Sequence, residues 1–396
     1  MPLNRSWALF TQSNANRLIY NIWSYAEMRL LPTLSFTGAC TKSDHPMKAL
    51  VWMGPGQLEL TERPVPVPRT GELLIRTVAV GLCGTDLHLI QGAFAPAVPP
   101  LTLGHEAAGV IAKVPDSAAG RQLREGTRVV VNPNVGCGKC RYCVQQKPHL
   151  CLDRKIIGLV GCDGGLADYF VAPLAKVFEM PEAVSWCDGA CMDNLANAVH
   201  GLDVVPLPHG GTVAIYGCGA SGLCFIQLCR LRGALKIIGV DIADDRLVWA
   251  ERFGCDEVIN GAREDAPMRV RHLTSGFGVD LAIEASGALS APSACLRSTR
   301  SGGSVLLFGV YEDYIDRVDF QDQRRREITI YGSSGAPDTF ARAVELVSSR
   351  QVRLAAMVTH SLRFEGVPAF FASSMKSPDG CAHLKSIAMA STPEGM

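Results

Sequence analysis

An α/β fold in two parts, a β-rich first part followed by a doubly wound parallel sheet, is what the sequence predicts, and three observations predict it. From Met47 to about Pro173 the chain runs in short β-branched stretches broken by Gly and Pro, such as LLIRTVAVGLCG and RVVVNPNVGC. Beyond Pro206 strand and helix patterns alternate, and the strands are apolar at nearly every position, as in a parallel sheet covered on both faces. A glycine-rich turn, GCGASG, joins the first of these strands to the first helix.

Taken in order, residues 1–46 differ from the rest: Arg5, Arg17 and Arg29 stand against only Glu27 and Asp44, among several Ser and Asn and with no strand alternation. Three readings stay open for them: a start placed too far upstream of Met47, a basic and acid-poor transit peptide, and a tail without function. Residues 47–200 are expected to form the β-rich domain, with a cysteine lobe carried on a loop. Residues 201–335 are expected to form the parallel-sheet domain: strand GGTVAIYG, helix SGLCFIQLCRLRG, strand LKIIGVD and helix DDRLVWAERFG come first. Strands VDLAIEAS, GSVLLFGV and EITIYGS follow. Residues 336–396 begin, after Gly335, with the helix DTFARAVELVSSR and are expected to return to the first domain.

Composition narrows the function classes. The chain has 396 residues with Lys+Arg 38 and Asp+Glu 38, so no net field draws it to nucleic acid or to an anionic membrane. Fifteen cysteines would suit a small oxidised scaffold, but a chain this long and apolar has cores of its own. Cys218, Cys224 and Cys229 fall in an apolar segment, as small core residues do. No apolar run reaches the length of a membrane span. A cytoplasmic location is expected, or an organelle if the first residues act as a transit peptide.

The run GCGKCRYCVQQKPHLC sets Cys137, Cys140, Cys143 and Cys151 at spacings that close on one tetrahedral metal. An all-thiolate shell suits Zn²⁺ and leaves no open position, so this site reads as structural. An iron–sulfur cluster fits less well, because no proline follows the last cysteine and there is no second cysteine group. In GCGASG, Gly217 makes the tight turn, Gly219 lets backbone approach a pyrophosphate, and Gly222 permits close helix–strand packing. Asp241 ends the next strand, where a carboxylate hydrogen-bonds a ribose 2′-hydroxyl and repels a 2′-phosphate, which favours NAD over NADP.

Two further segments carry reactive side chains. GLCGTDLH supplies Cys83, Thr85, Asp86 and His88, and LGHEAAG supplies His105 and Glu106. A thiolate, an imidazole and a carboxylate make a three-ligand zinc site with an open fourth position. Zinc held in that way acts as a Lewis acid on a bound alcohol.

The order of these motifs, Cys83-Gly-Thr85-Asp86-Leu-His88, then Gly104-His105-Glu106, the four-cysteine lobe and the Gly217 fingerprint, resembles the zinc-dependent medium-chain alcohol dehydrogenases. The resemblance runs from about Met47 to the end. It implies a GroES-like catalytic domain closed by the C-terminal segment, a Rossmann coenzyme domain, and an active site in the cleft between them. It also implies two zinc ions per chain, NAD, a small alcohol or polyol substrate, and a homodimer or homotetramer formed through the edge of the coenzyme sheet, at strand GSVLLFGV and its neighbours. Cys83 and His105 would ligate the catalytic zinc, with Glu106 binding it directly or exchanging with water. Thr85 would hydrogen-bond the substrate hydroxyl, whose proton would pass by the cofactor ribose to His88, and Asp86 would orient His105.

The third protein ligand departs from the common pattern. Where polyol-type members have Glu-Pro-Leu, this chain reads Asp193-Asn194-Leu195. Asp193 offers a carboxylate on a stem one methylene shorter, which would reach the metal directly or through water. Cys191 is the alternative. Oxidation of a secondary hydroxyl on a polyol is the expected activity. L-Threonine is the runner-up, because DNLANAVH resembles threonine dehydrogenases, and a simple alcohol comes third. A redox-silent protein would be expected to lack Cys83, His105 or His88, and all three are present.

Overall fold

The computed structural model describes residues 46–92, 97–115, 123–311, 313–315, 318–375 and 384–390. The readings made for the N-terminal extension concern residues 1–46 and lie, save Pro46, outside the described residues.

The first part is built on a sheet whose central strand is β1 (Glu72–Leu82). Its neighbour β2 (Glu106–Lys113) runs antiparallel and continues to Arg128–Val131 and Val177–Glu179. Leu73, Ile75, Val80 and Leu82 of β1 pack with Ala107 and Ile111 of β2 in one apolar core, as alternate positions of half-buried strands do. The four-cysteine lobe leaves this sheet after Val131, and its own three-stranded sheet brings Asn134–Val135 beside Lys155–Ile157.

The second part is a six-stranded parallel sheet. Its strands are β3 (Thr212–Tyr216), β4 (Lys236–Asp241), β5 (Glu257–Asn260), β6 (Val279–Glu284), β7 (Thr299–Leu307) and β8 (Thr329–Gly332), in the spatial order β5-β4-β3-β6-β7-β8. The period of two divides these apolar strands between two cores. Val213, Ile215, Ile237, Leu281 and Ile283 face one, while Ala214, Tyr216, Ile238, Val240 and Ala282 face the other. Burial on both faces explains why the strands read as continuous apolar runs. Strand order reverses between β3 and β6, which opens a crevice at their carboxyl ends.

Helix α1 (Gly84–Ile90) follows β1, and α2 (Met192–Val204) leads into the second part. Between β3 and β4, α3 (Ala220–Leu231) buries Cys224 and Cys229 completely, and Cys218 is equally inaccessible just before it, so all three are core residues. Burial pushes the thiols of Cys224 and Cys229 up to about 12. After β8 the chain crosses back through β9 (Val358–Arg363) to β10 (Lys385–Met389), which pairs antiparallel with β1, Ile387 opposite Gly81. No helix among the described residues is long and apolar enough to cross a membrane.

Candidate active site and cofactor crevice

Three strand ends meet at one point of the first sheet. Gly81 of β1 lies opposite Glu106 of β2 and opposite Ile387 of β10, so Cys83, His105, Glu106 and Lys385 converge. Glycine is required at 81: a Cβ there would stand 2.0 Å from Glu106 Oε2. Cys83 Sγ, a His105 nitrogen and a Glu106 oxygen all lie within 4.8 Å of one another. One soft thiolate, one imidazole and one carboxylate at that spacing form a donor set suited to Zn²⁺.

Each donor is oriented by a neighbour. Asp86, fully buried on α1, accepts the Cys83 N–H through Oδ2 at 3.0 Å, while its Oδ1 lies 3.2 Å from His105 Nδ1. One carboxylate thereby caps the helix and turns the imidazole so that Nε2 faces the cluster, 3.8 Å from Glu106 Oε1. Burial opposes protonation of His105, yet the Asp86 carboxylate and the Cys83 sulfur together outweigh it and raise the imidazole well above its ordinary range. Thr85 Oγ1 is 3.6 Å from Cys83 Sγ, and His88 stands one helical turn further along α1.

Glu106 is held at both oxygens. Asn194 Nδ2 donates to Oε1 at 3.1 Å, and the Lys385 ammonium donates to Oε2 in a buried ion pair. Burial disfavours the Lys385 charge, but Glu106 together with the nearby cysteine sulfurs more than compensates and raises its pKa. The sequence reading passed over Lys385, because a lone lysine in the short strand KSIAM carries no signal until the strand is seen to close on Gly81. Asn194 appeared only as a departure beside Asp193.

Asp193 lies on the first turn of α2, outside the 4.8 Å cluster. Its Oδ2 accepts from Asn197 Nδ2 at 2.7 Å, and its buried Oδ1 has no hydrogen-bond partner. Burial, with Glu106 nearby, pushes its carboxyl up to about 7. An orphaned carboxylate oxygen beside a thiolate–imidazole–carboxylate group fits a cation at this place. Cys191 is fully buried and its thiol is pushed up by that burial, so it is held neutral.

In the lobe, the sulfurs of Cys137, Cys140, Cys143 and Cys151 also lie within 4.8 Å of one another. The Cys140 N–H points at Cys137 Sγ and the Cys137 N–H at Cys151 Sγ, each at 3.4 Å. Backbone donors from Lys139 and Cys140 bring Cys137 down to about 6, whereas burial pushes Cys151 up to about 12. Four thiols converging without a disulfide are a closed tetrahedral donor set.

At the crevice, Gly217 has φ +99°, and a Cβ on it would stand 2.7 Å from the Ser286 nitrogen. A Cβ on Gly222 would stand 1.9 Å from the Gly217 carbonyl oxygen. Gly219, by contrast, has nothing within 4 Å of that position, so open space lies over the first turn of α3. Asp241 lines an adjoining cavity of about 380 Å³ with Arg246, Ser286 and Arg297. Its carboxylate accepts the N–H groups of Cys218 at 2.8 Å, Ile242 at 2.8 Å and Ala243 at 3.1 Å, which pins the glycine turn to the end of β4 and leaves capacity for one further donor.

The chain matches the alcohol dehydrogenase GroES-like domain family over residues 69–182 and the zinc-binding dehydrogenase family over residues 220–349. It is 32% identical to a sorbitol dehydrogenase of Bacillus subtilis, over 81% of this chain and 91% of that one. It is 33% identical to an L-threonine 3-dehydrogenase of Pyrococcus horikoshii, over 80% and 92%. Among solved structures, a protein of Sinorhizobium meliloti 1021 bound to NADP superposes with a TM-score of 0.80 at 30% identity, covering 87% of this chain and 99% of that one. An Escherichia coli CFT073 alcohol dehydrogenase complexed with NADH gives a TM-score of 0.79 at 27% identity, with the same coverage.

Proposed function

The chain belongs to the zinc-dependent medium-chain alcohol dehydrogenases, and from that premise we propose that it oxidises a secondary hydroxyl of a small polyol or sugar alcohol to the ketone, with zinc and NAD. The observation that carries the proposal is the convergence of Cys83, His105 and Glu106 within 4.8 Å. These three would hold the catalytic zinc, with Asp193 and its unpartnered Oδ1 as a further carboxylate at the site. Cys137, Cys140, Cys143 and Cys151 would hold the structural zinc. When bound, the catalytic zinc supplies Lewis acidity toward a hydroxyl oxygen, and the nicotinamide accepts hydride.

The chain's own side chains do the rest. Asp86 fixes the His105 ring, Asn194 and Lys385 fix Glu106, and Thr85 receives the substrate hydroxyl, with His88 one turn on to carry its proton toward solvent. Gly217, Gly219 and Gly222 cradle the pyrophosphate, and Asp241 takes the adenosine ribose. A carboxylate there favours NAD, since it would repel a 2′-phosphate. L-Threonine is the second reading: Asp193-Asn194-Leu195 stands where polyol-type members resemble one another in Glu-Pro-Leu, and threonine dehydrogenases are among the relatives. Self-association would use one edge of the parallel sheet: the strand in GSVLLFGV is β7, which lies between β6 and β8, so its neighbour β8 is the edge strand.

The test follows nicotinamide absorbance with NAD or NADP and a panel of polyols, L-threonine and simple alcohols, before and after removal of the labile metal. Metal-dependent reduction of NAD on a polyol is the expected result. A best rate on L-threonine selects the second reading, and no reduction with any substrate in protein holding two zinc ions per chain refutes both.

A further inference from the structure

Glu284, at the end of β6, is fully buried and lies outside the chemistry just described. Five donors converge on its carboxylate. Oε1 accepts the Ser286 N–H at 2.8 Å, the Ser286 hydroxyl at 2.6 Å and the Gly287 N–H at 2.9 Å. Oε2 accepts the Gly309 N–H at 3.2 Å and the Tyr311 hydroxyl at 2.6 Å. The first three belong to the loop after β6, the last two to the loop after β7. One buried side chain therefore ties two neighbouring loops together at the carboxyl edge of the sheet, and its burial strengthens these hydrogen bonds.

The positions of these loops give the tie a meaning. Ser286 and Ala288 line the same cavity as Asp241, and the Ser286 nitrogen packs against Gly217. This loop is thus part of the wall on the adenosine and pyrophosphate side. A dinucleotide in a doubly wound sheet crosses the switch point, so its second mononucleotide lies over the half made of β6, β7 and β8. The loop after β7 is on that side. Its Gly309 has no room for a side chain, since a Cβ would stand 2.4 Å from both Glu284 Oε2 and the Gly287 nitrogen. The two loops also touch through the Val310 carbonyl, which would stand 2.5 Å from a Cβ on Gly287.

We infer that Tyr311 is a positioning residue for the nicotinamide end of the cofactor, acting through Glu284, which sets the loop at 309–311 in register with the loop at 286–288. The inference rests on the dinucleotide reading of the crevice. Tyr311 is half-buried, and its hydroxyl donates to Glu284 Oε2. Tyr311→Phe keeps the aromatic ring and loses only the hydroxyl's bond to Oε2, leaving the three bonds to Oε1 and the Gly309 N–H bond to Oε2 intact. Glu284→Gln goes further: an amide NH₂ on either side would face donors where an oxygen now accepts.

The experiment compares two ligands. NADH is titrated by its nicotinamide fluorescence, and ADP-ribose, which lacks the nicotinamide, is titrated by calorimetry. Tyr311→Phe is expected to weaken NADH by about fivefold or more while ADP-ribose stays within about twofold, the scale of one lost hydrogen bond to a charged group. Glu284→Gln is expected to weaken both. Equal weakening of the two ligands in Tyr311→Phe, or no change in either, overturns the inference while leaving the cofactor reading intact. Wild-type protein that takes up neither ligand overturns both.

Discussion

Lys385 and Glu106 are both almost wholly withdrawn from water, so their stability depends on one another. Removing one member of such a pair leaves an uncompensated buried charge, at a cost of roughly 3–5 kcal/mol. Lys385→Met should therefore lower the melting temperature strongly in protein stripped of its catalytic-site metal. Adding zinc back should recover most of the loss, because the cation then offsets the Glu106 charge. Equal destabilisation with and without metal in thermal melts would show that Lys385 acts by packing alone. Asp193 makes a second prediction for the stripped protein. Its folded pKa of about 7 exceeds the ordinary carboxylate value, so the native state holds a proton that the unfolded chain releases. Stability is then fully present at acid pH and falls as pH rises from about 4 through 7. Asp193→Asn removes this dependence, and its melting temperature should match wild type near pH 4 and exceed it at pH 8. An unchanged gap across that range would mean that Asp193 does not titrate as a buried carboxyl.

The cysteine lobe is an element whose sequence contains nearly all of its structure. Cys137, Cys140 and Cys143 recur at a spacing that a tight turn and the single helical turn Arg141–Val144 bring to one side, and Pro148–Leu150 returns Cys151 to meet them. With little apolar surface buried in the lobe, where Val144, Leu150 and Leu152 are exposed, metal binding must supply much of its folding energy. Cys140→Ser should lower the melting temperature and increase sensitivity to chelators, with any remaining activity still dependent on Cys83. Unchanged melting would argue against metal in the lobe. The glycine turn was legible for a similar reason, since Gly217, Gly219 and Gly222 act locally between one strand and one helix. Lys385 was not. Its partner Glu106 is far away in sequence, and only the antiparallel pairing of β10 with β1 brings them together. Glu284 escaped notice on the same ground: its donors Gly309 and Tyr311 follow the next strand, and a carboxylate at a strand end has no period to reveal it. Side chains whose role is local can be read from spacing, whereas those that join separate elements need the register.

On the scale of the whole molecule, the chain crosses from the parallel sheet back toward the first part at residues 335–337, and Asn132 receives it. This side chain is fully buried where the first sheet gives way to the cysteine lobe. Its Nδ2 donates to the Ala336 carbonyl at 2.7 Å and the Pro337 carbonyl at 3.2 Å, while its Oδ1 accepts from the Asn134 N–H at 3.0 Å and from Asn134 Nδ2 at 3.2 Å. One amide thus binds the first sheet, the lobe and the returning segment, using its donor side for the returning segment and its acceptor side for the lobe. Thr339, two residues beyond, adds a second tie by donating to the Ala196 carbonyl of α2, the helix that carries Asp193. Asn132→Ala should leave these buried carbonyls and the Asn134 N–H without partners, at a cost of roughly 2 kcal/mol or more. Asn132→Asp is the sharper test. Its carboxylate keeps the acceptor for Asn134 but sets a charge against two carbonyl oxygens, so it should be less stable than the alanine variant at neutral pH and approach it as acid protonates the new carboxyl. Denaturant melts of the two variants across that pH range decide the matter: an aspartate variant as stable as wild type at pH 7 would mean that the returning segment is held elsewhere, and that the two parts of the molecule are not joined at this side chain.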